Sequence, residues 1–130
     1  MSILALDVGD KRIGAAIEKN GVVFEYATFI NAEEFKKKLQ NIIEQESIVR
    51  IIIGLPKTLK GEKGFQAQHV EKFVDSLELT IPIEYIDERF SSVAARKGLE
   101  ALGLSREKIE ERIDSFSAKI LLEDYIQNQS

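Results

Sequence analysis

Residues 12–30 read RIGAAIEKNGVVFEYATFI, two apolar runs rich in β-branched and aromatic residues on either side of Asn20-Gly21. The runs predict two strands, at residues 12–18 and 22–30. The Asn-Gly pair predicts a type I′ turn, because both central positions of that turn need positive φ angles, which Asn and Gly tolerate. The two strands are therefore expected to be antiparallel neighbours in one sheet.

Further strands flank this hairpin. Residues 3–8 form a short apolar run that holds one carboxylate, Asp7. Residues 48–53 read IVRIII, a nearly continuous apolar run that indicates a strand covered on both faces, as in a parallel sheet. A fifth strand is expected at residues 81–86. The chain therefore predicts three hairpin strands followed by two crossover strands.

Helical periodicity fills the segments between and after the later strands. The first helix is expected at residues 32–47 with Asn31 as its N-cap, and the second follows the polar loop 57–64. A third helix would end at Gly103, and Ser105 would cap the last helix, which runs to about residue 127. The order βββαβαβαα predicts an α/β fold in which a mixed five-stranded sheet carries helices on both faces.

Composition limits the classes of function. The 130 residues carry a formal net charge of −4, contain no cysteine and have a single histidine, which excludes thiol nucleophiles and multi-histidine metal sites. We expect a single domain spanning residues 1–130, intracellular and cytoplasmic, with no membrane span. The acidic balance argues against a general nucleic-acid binder, so any such partner would have to be held by local basic groups.

Acidic side chains lie at the ends of two of the predicted strands, and a further one faces the protein from the last helix. Asp7 lies inside an apolar run, where a carboxylate is costly unless it binds a cation or pairs with Lys11 or Arg12, and both interpretations stay open. Asp87 and Glu88 end the last strand, and spacing alone favours a simple solvated turn in which one carboxylate pairs with Arg89. Helical projection turns Asp114 of the last helix toward the protein.

If Asp7, Glu88 and Asp114 meet, their mutual repulsion requires divalent cations, and oxygen ligands suit Mg²⁺ or Mn²⁺. Whether Asp87 shares the role given to Glu88 stays open. His69 is expected in a structural or surface role. Basic side chains lie near the acidic set and could position phosphates or be ordinary solvated surface. These are Lys11, Arg12, Lys57, Lys60, Lys63 and Arg89.

Four segments together resemble one family. Residues 6–14 (LDVGDKRIG), residues 53–56 (IGLP), residues 87–92 (DERFSS) and the closing helix from Ile113 to Tyr125 are similar to the YqgF-type family of Holliday-junction-resolvase-like proteins. The resemblance covers nearly the whole chain. Asp10 departs from it, since the family often has an uncharged residue there, and it adds negative charge beside the expected site.

The resemblance implies a ribonuclease-H-like fold and a metal-dependent nuclease that matures the 5′ end of pre-16S ribosomal RNA. It carries the catalytic and metal-binding roles to Asp7, Glu88 and Asp114, with Mg²⁺ or Mn²⁺, and expects two ions. Four-way DNA junctions are the alternative substrate, which would suit a homodimer, whereas an RNA end could be trimmed by a monomer.

Two hypotheses from other classes remain. The first is a non-catalytic RNA-binding factor in ribosome assembly, for which Asp7→Asn would leave RNA affinity unchanged. The second is an actin-like or sugar-kinase-like ATPase, whose first strands look similar to residues 7–9 and the hairpin that follows. Such ATPases close two domains of this kind around the nucleotide, and 130 residues supply one.

Overall fold

The computed structural model describes residues 1–56, 64–87 and 91–128. The order of its elements confirms the predicted βββαβαβαα. The elements are β1 (Ser2–Val8), β2 (Arg12–Lys19), β3 (Val22–Ile30), α1 (Glu34–Gln45), β4 (Ile48–Leu55), α2 (Phe65–Ser76), β5 (Ile83–Asp87), α3 (Ser91–Ala101) and α4 (Arg106–Gln127).

The five strands form one mixed sheet in the order β3-β2-β1-β4-β5. β1, β2 and β3 pair antiparallel, as expected from the hairpin sequence. β4 pairs parallel with β1 on one side and with β5 on the other. The carboxyl ends of β1, β4 and β5 therefore share one edge of the sheet, which is where ligands gather in parallel arrangements.

The turn between β2 and β3 has the predicted geometry. Asn20 has a φ angle of 53° and Gly21 one of 85°, so both central residues are left-handed, as a type I′ turn requires. The Glu18 carboxylate accepts a hydrogen bond from the Gly21 backbone N–H at 2.6 Å. This turn pins the register of the hairpin and so sets which residues of β2 face each side of the sheet.

The two faces of the sheet are covered differently. Leu4, Leu6 and Ile13 belong to the larger apolar core, which they share with α1 and α2. On the opposite face, Ala5 and Ala16 are fully buried in a cluster with side chains of α4. Small alanine side chains leave room for a helix to pack close to the strands, so α4 lies tightly against the centre of the sheet.

The position of β4 inside the sheet explains why its sequence is apolar almost throughout. Ile51 and Ile53 are fully buried in the core that includes α1 and α2, and Ile52 is fully buried in the α4 cluster. A strand between two neighbours and under helices on both faces has no side open to water. The prediction of a strand covered on both faces is confirmed.

One predicted helix cap is wrong and another is confirmed. α1 begins at Glu34, its N-cap is Glu33, and no side chain caps it, so Asn31 is not the cap. The Asn31 side chain instead bonds to a loop at the edge of the sheet, described below. Ser105 caps α4 as expected, because its side chain accepts a hydrogen bond from the Lys108 N–H at 3.2 Å.

Within the described ranges, no helix has the length and apolar character needed to cross a membrane. The cytoplasmic localisation and the single domain of residues 1–130 stay predictions.

Candidate functional site

An open cavity of about 600 Å³ lies at the edge of the sheet where the parallel strands end. Residues from the end of β1 and the following loop line it, together with residues of α2 and α4. Asp7 and Asp114 are both among them. These are two of the three predicted acidic ligands. They lie 107 positions apart in the sequence, yet both face this cavity.

Gly14 explains how Asp114 comes so close to the strands. In the sheet, Asp7 of β1 is the direct cross-strand partner of Gly14 on β2. A Cβ atom on Gly14 would overlap the backbone carbonyl of Asp114 and press on the Ser115 nitrogen. The missing side chain therefore lets α4 touch β2 beside Asp7. A glycine inside a strand is a known signal of close backbone approach, and it could have marked this position from the sequence.

A hydrogen-bonded cluster on the flank of α4 also holds Asp114 in place. Arg112 donates to Glu25 of β3 at 2.6 Å, and the Ser115 hydroxyl donates to the same carboxylate at 3.0 Å. The hydrogen bond to Glu25 raises the pKa of Arg112, with the nearby negative charge adding to the effect. Because these residues flank Asp114 in sequence, the cluster fixes the rotation and depth of the first half of α4.

The Oδ2 atom of Asp114 is ion-paired but has no hydrogen bond to any residue that the structure describes. Its Oδ2 lies 2.9 Å from Nε of Arg12, and the two side chains are 22% and 51% exposed. Oδ2 itself is buried and has no hydrogen-bond partner among the described residues, so the Arg12 N–H is not aligned with it. The pair is a charge contact whose cation is half in water, and the oxygen keeps its capacity to accept or to ligate.

Asn31 anchors the loop between β1 and β2 beside Asp7. Its side-chain Nδ2 donates to the Gly9 carbonyl at 2.8 Å, and its backbone N–H donates to the Lys11 carbonyl at 2.9 Å. Gly9 N–H donates in turn to the Arg12 carbonyl at 2.9 Å. Asn31 also lines the cavity, so sequence reasoning found the residue but assigned it the wrong task.

The α2 side of the cavity is formed by Gln66, His69 and Lys72, with apolar residues between them. The His69 ring stacks on Phe65, with 5.6 Å between the ring centroids and 28° between the planes. From the sequence, His69 was expected to be structural or on the surface. His69 is exposed, in agreement with a surface role, and it also lies at the margin of the same space as Asp7 and Asp114.

Some of the remaining predicted residues lie in the described part of the chain and others lie outside it. Asp87 ends β5 opposite Leu55 and is exposed, and it does not line the cavity in the described part of the chain. Asp10 does line it, and Lys11 is exposed in the adjoining loop. The others lie outside the described residues. They are Glu88, Arg89, Lys57, Lys60 and Lys63.

The donors present suit a hard divalent cation. Asp7 and Asp114 supply carboxylate oxygens, the ligands that Mg²⁺ and Mn²⁺ prefer, and the buried Asp114 Oδ2 has no hydrogen bond to give up. In residues 1–56, 64–87 and 91–128, no three His, Cys, Asp or Glu side chains gather closely enough to hold an ion. The third predicted ligand, Glu88, lies outside those ranges.

The chain is similar over nearly its whole length to one known family. The model of the RuvX family, described as Holliday junction resolvase, matches residues 1–128. A protein of Chloroflexus aurantiacus named "Putative pre-16S rRNA nuclease" is 42% identical over 130 residues, covering 95% of this chain and 85% of that protein. A Sulfurihydrogenibium protein of the same name is 42% identical over 134 residues, covering 98% and 91%.

Among solved structures, Thermus thermophilus RuvC in complex with a Holliday junction substrate is similar, with a TM-score of 0.59. The match covers 100% of this chain and 97% of that one at 10% sequence identity. At that identity the likeness concerns the fold alone. It confirms the ribonuclease-H-like architecture expected from the sequence.

Proposed function

The chain belongs to the RuvX family of Holliday junction resolvases, and from that premise we propose that it is a metal-dependent nuclease that cleaves structured nucleic acid. The substrate we assign is pre-16S ribosomal RNA, because relatives 42% identical over nearly the whole chain are named "Putative pre-16S rRNA nuclease". Within that substrate we propose cleavage at the 5′ end. One observation supports the nuclease proposal above the others: Asp7 and Asp114 face the same cavity at the carboxyl edge of the sheet.

The residues of the site divide the work between binding and orientation. Asp7 and Asp114, with Glu88 as the third member, would hold Mg²⁺ or Mn²⁺, and two ions are expected. A divalent cation bound there supplies an activated water and stabilises the leaving oxygen in phosphodiester hydrolysis. Gly14 and the Glu25 cluster set the position of Asp114, and Asn31 holds the loop beside Asp7.

Basic groups around the cavity would position the phosphate backbone without reading sequence. Lys72 lines the cavity from α2, and Lys11 is exposed in the loop between β1 and β2. Arg89 and the lysines at positions 57, 60 and 63 have the same proposed role. Because the whole chain carries a net charge of −4, we expect substrate affinity to be low without metal and to depend on these local cations.

The test is cleavage of precursor ribosomal RNA and of a synthetic four-way DNA junction, each in Mg²⁺, Mn²⁺ or EDTA. We expect the wild-type chain to cut the RNA in Mg²⁺ or Mn²⁺ but not in EDTA, and Asp7→Asn to abolish cutting. Asp124→Asn is the matched control, because it removes the same charge from an exposed position of α4 away from the cavity.

Each alternative has its own outcome. Metal-dependent cutting confined to the junction would reassign the substrate to branched DNA, and a homodimer would then be expected. RNA affinity that is the same in Asp7→Asn, with no cleavage by either chain, would indicate a binding factor. Undiminished cleavage by purified, folded Asp7→Asn would refute the assignment of the site.

A further inference from the structure

An aromatic side chain stands in water at the start of α2. Phe65 is 80% exposed, the most exposed large apolar side chain after Met1 within the described residues. Exposing a phenyl ring forgoes the free energy of burying it. Single exposed apolar residues are common on protein surfaces, so exposure alone carries no conclusion. Phe65 differs from the other exposed apolar residues in its aromatic neighbour and in its place in the fold.

The ring of Phe65 stacks against that of His69, one helical turn further along α2. The ring centroids are 5.6 Å apart and the planes differ by 28°. The i, i+4 spacing puts both rings on one side of the helix. Because Phe65 as a whole is 80% exposed, its contact with His69 leaves area open to a further flat partner.

The stack adjoins the site. His69 and the intervening Gln66 line the cavity that holds Asp7 and Asp114, so the stacked pair lies at its rim. Lys72, which also lines the cavity, offers a cation on the same helix. An exposed aromatic side chain, a cation on the same helix and a cavity lined by two carboxylates together match the chemistry of a nucleotide, in which a flat base is joined to a phosphate.

We propose that Phe65 and His69 form a stacking platform for an unpaired nucleobase next to the phosphodiester bond that is cut. This inference rests on the proposed nuclease function and narrows its substrate class to single-stranded or frayed segments. Bases in a continuous duplex have their faces covered by neighbours, whereas an unpaired base stacks on aromatic side chains with little regard to its identity. The platform therefore selects for structure at the cleavage site and not for sequence.

The test measures binding in the Asp7→Asn background, where no cleavage is expected, at one fixed salt concentration. The probes are oligonucleotides that carry a single 2-aminopurine, whose fluorescence falls when it stacks, either unpaired or inside a blunt duplex. RNA and DNA versions of the same sequence show whether the sugar matters. The added variants are Phe65→Ala, Phe65→Tyr and, as a matched control, Leu102→Ala, which shortens an exposed apolar side chain away from the cavity.

We expect Phe65→Ala to weaken binding of the unpaired probe about tenfold and to remove the quenching, within the range of one lost base stack. Phe65→Tyr keeps the ring and should stay within about twofold, and Leu102→Ala should have no effect. Duplex affinity should be unchanged in every variant. Equal affinity of the Phe65→Ala and parent chains for the unpaired probe, or an equal loss on the duplex, overturns the platform.

The two proposals fail separately. If the wild-type chain cuts no nucleic acid in any metal but Phe65→Ala still loses the unpaired probe, the nuclease assignment fails and the platform stands only as a binding site for an unpaired base. If the wild-type chain cuts precursor RNA in Mg²⁺ and Phe65→Ala binds and quenches like its parent, only the platform fails.

Discussion

Gly14 of β2 and Asp114 of α4 meet backbone to backbone, and a Cβ atom on Gly14 would occupy the position of the Asp114 carbonyl. Neither backbone can yield cheaply, because Gly14 pairs with Asp7 in the sheet and α4 packs over the strands. The contact ties the positions of the two carboxylates to each other. Whatever moves α4 away from β2 also moves Asp114 away from Asp7.

Gly14→Ala should therefore reduce both stability and cleavage. We expect the free energy of unfolding to fall by about 1–3 kcal/mol, as for overpacking of a tight contact, and nuclease activity to fall further than the fraction unfolded explains. Denaturant unfolding and cleavage rates at a temperature where the variant is folded check this. Gly98→Ala is the control, since its Cβ would meet only the edge of the Phe116 ring at 2.9 Å, away from the cavity. Unchanged stability in Gly14→Ala would contradict the contact.

Arg12→Gln should tighten metal binding. The Arg12 guanidinium lies against the Asp114 oxygen that we assign to the metal, so it competes with a cation for the same negative charge. A partly exposed ion pair contributes at most about 1 kcal/mol, which corresponds to a roughly two- to fivefold lower Kd for Mn²⁺ in a calorimetric titration. Lys11→Gln removes the same charge from the next residue and should change the Kd less. A weaker Mn²⁺ affinity in Arg12→Gln would show that Arg12 supports the site instead.

Asn31→Ala should loosen the loop between β1 and β2. It removes the hydrogen bond from Nδ2 to the Gly9 carbonyl and leaves the backbone bond to the Lys11 carbonyl in place. A single such bond contributes about 0.5–1.5 kcal/mol, so we expect a small loss of stability but faster hydrogen exchange at the Gly9 amide. Asn31→Asp should act in the same direction, because an ionised carboxylate has no proton to donate. Wild-type exchange at Gly9 in both variants would refute the anchoring role.

A carboxylate at the end of α1 predicts part of the acid sensitivity. Lys19, which donates a hydrogen bond to Glu46, lowers the pKa of that carboxyl, and Tyr26 adds a weaker hydrogen bond. A lowered folded-state pKa means that the contribution to stability is present above the ordinary glutamate range and disappears as the pH falls through the lowered value. Glu46→Gln should thus melt below wild type at neutral pH, and the difference should close toward pH 3.

Melting temperatures measured from pH 7 to pH 3 test this, with Glu44→Gln reporting the general effect of removing one negative charge from the same helix. A Glu46→Gln difference that stays constant or widens in acid would contradict the sign. The hydroxyl of Tyr26, which donates a hydrogen bond to Glu46, provides a second readout. The pKa of Tyr26 is raised, by burial first and by Glu46 second, so its ultraviolet titration should move toward the ordinary tyrosine value in Glu46→Gln.

Local chemistry in the sequence predicted the elements well. The β2–β3 turn needed only Asn20 and Gly21, since positive φ is a property of those residues themselves. The apolar run of β4 implied cover on both faces, and Ile51 and Ile52 do point to different cores. The helical projection of Asp114 toward the protein was also right. Each of these depends on periodicity or backbone preference within a few residues.

Contacts between distant segments of the chain were not predictable from the sequence in the same way. Arg12 is one of the two cations that the sequence offers as a partner for Asp7, and in the structure it contacts Asp114. Asn31 has the chemistry of a helix cap, but the Gly9 carbonyl lies within its reach and takes the hydrogen bond. The alignment of Phe65 with His69 beside the acids likewise depends on where α2 packs. Short-range preference leaves such choices open, because several acceptors of equal chemistry compete for one donor.

The sequence by itself therefore determined the order of strands and helices and the hairpin turn, and it pointed to the edge of the sheet and the carboxylates of the proposed site. Only the tertiary structure decided which carboxylates share a cavity. It also decided which cation, amide and aromatic ring lie beside them. The physical reason is that periodicity and backbone propensity act along the chain. Ion pairs, hydrogen bonds and the fit at Gly14 depend on distances across it, which exist only once α2 and α4 have packed on the sheet.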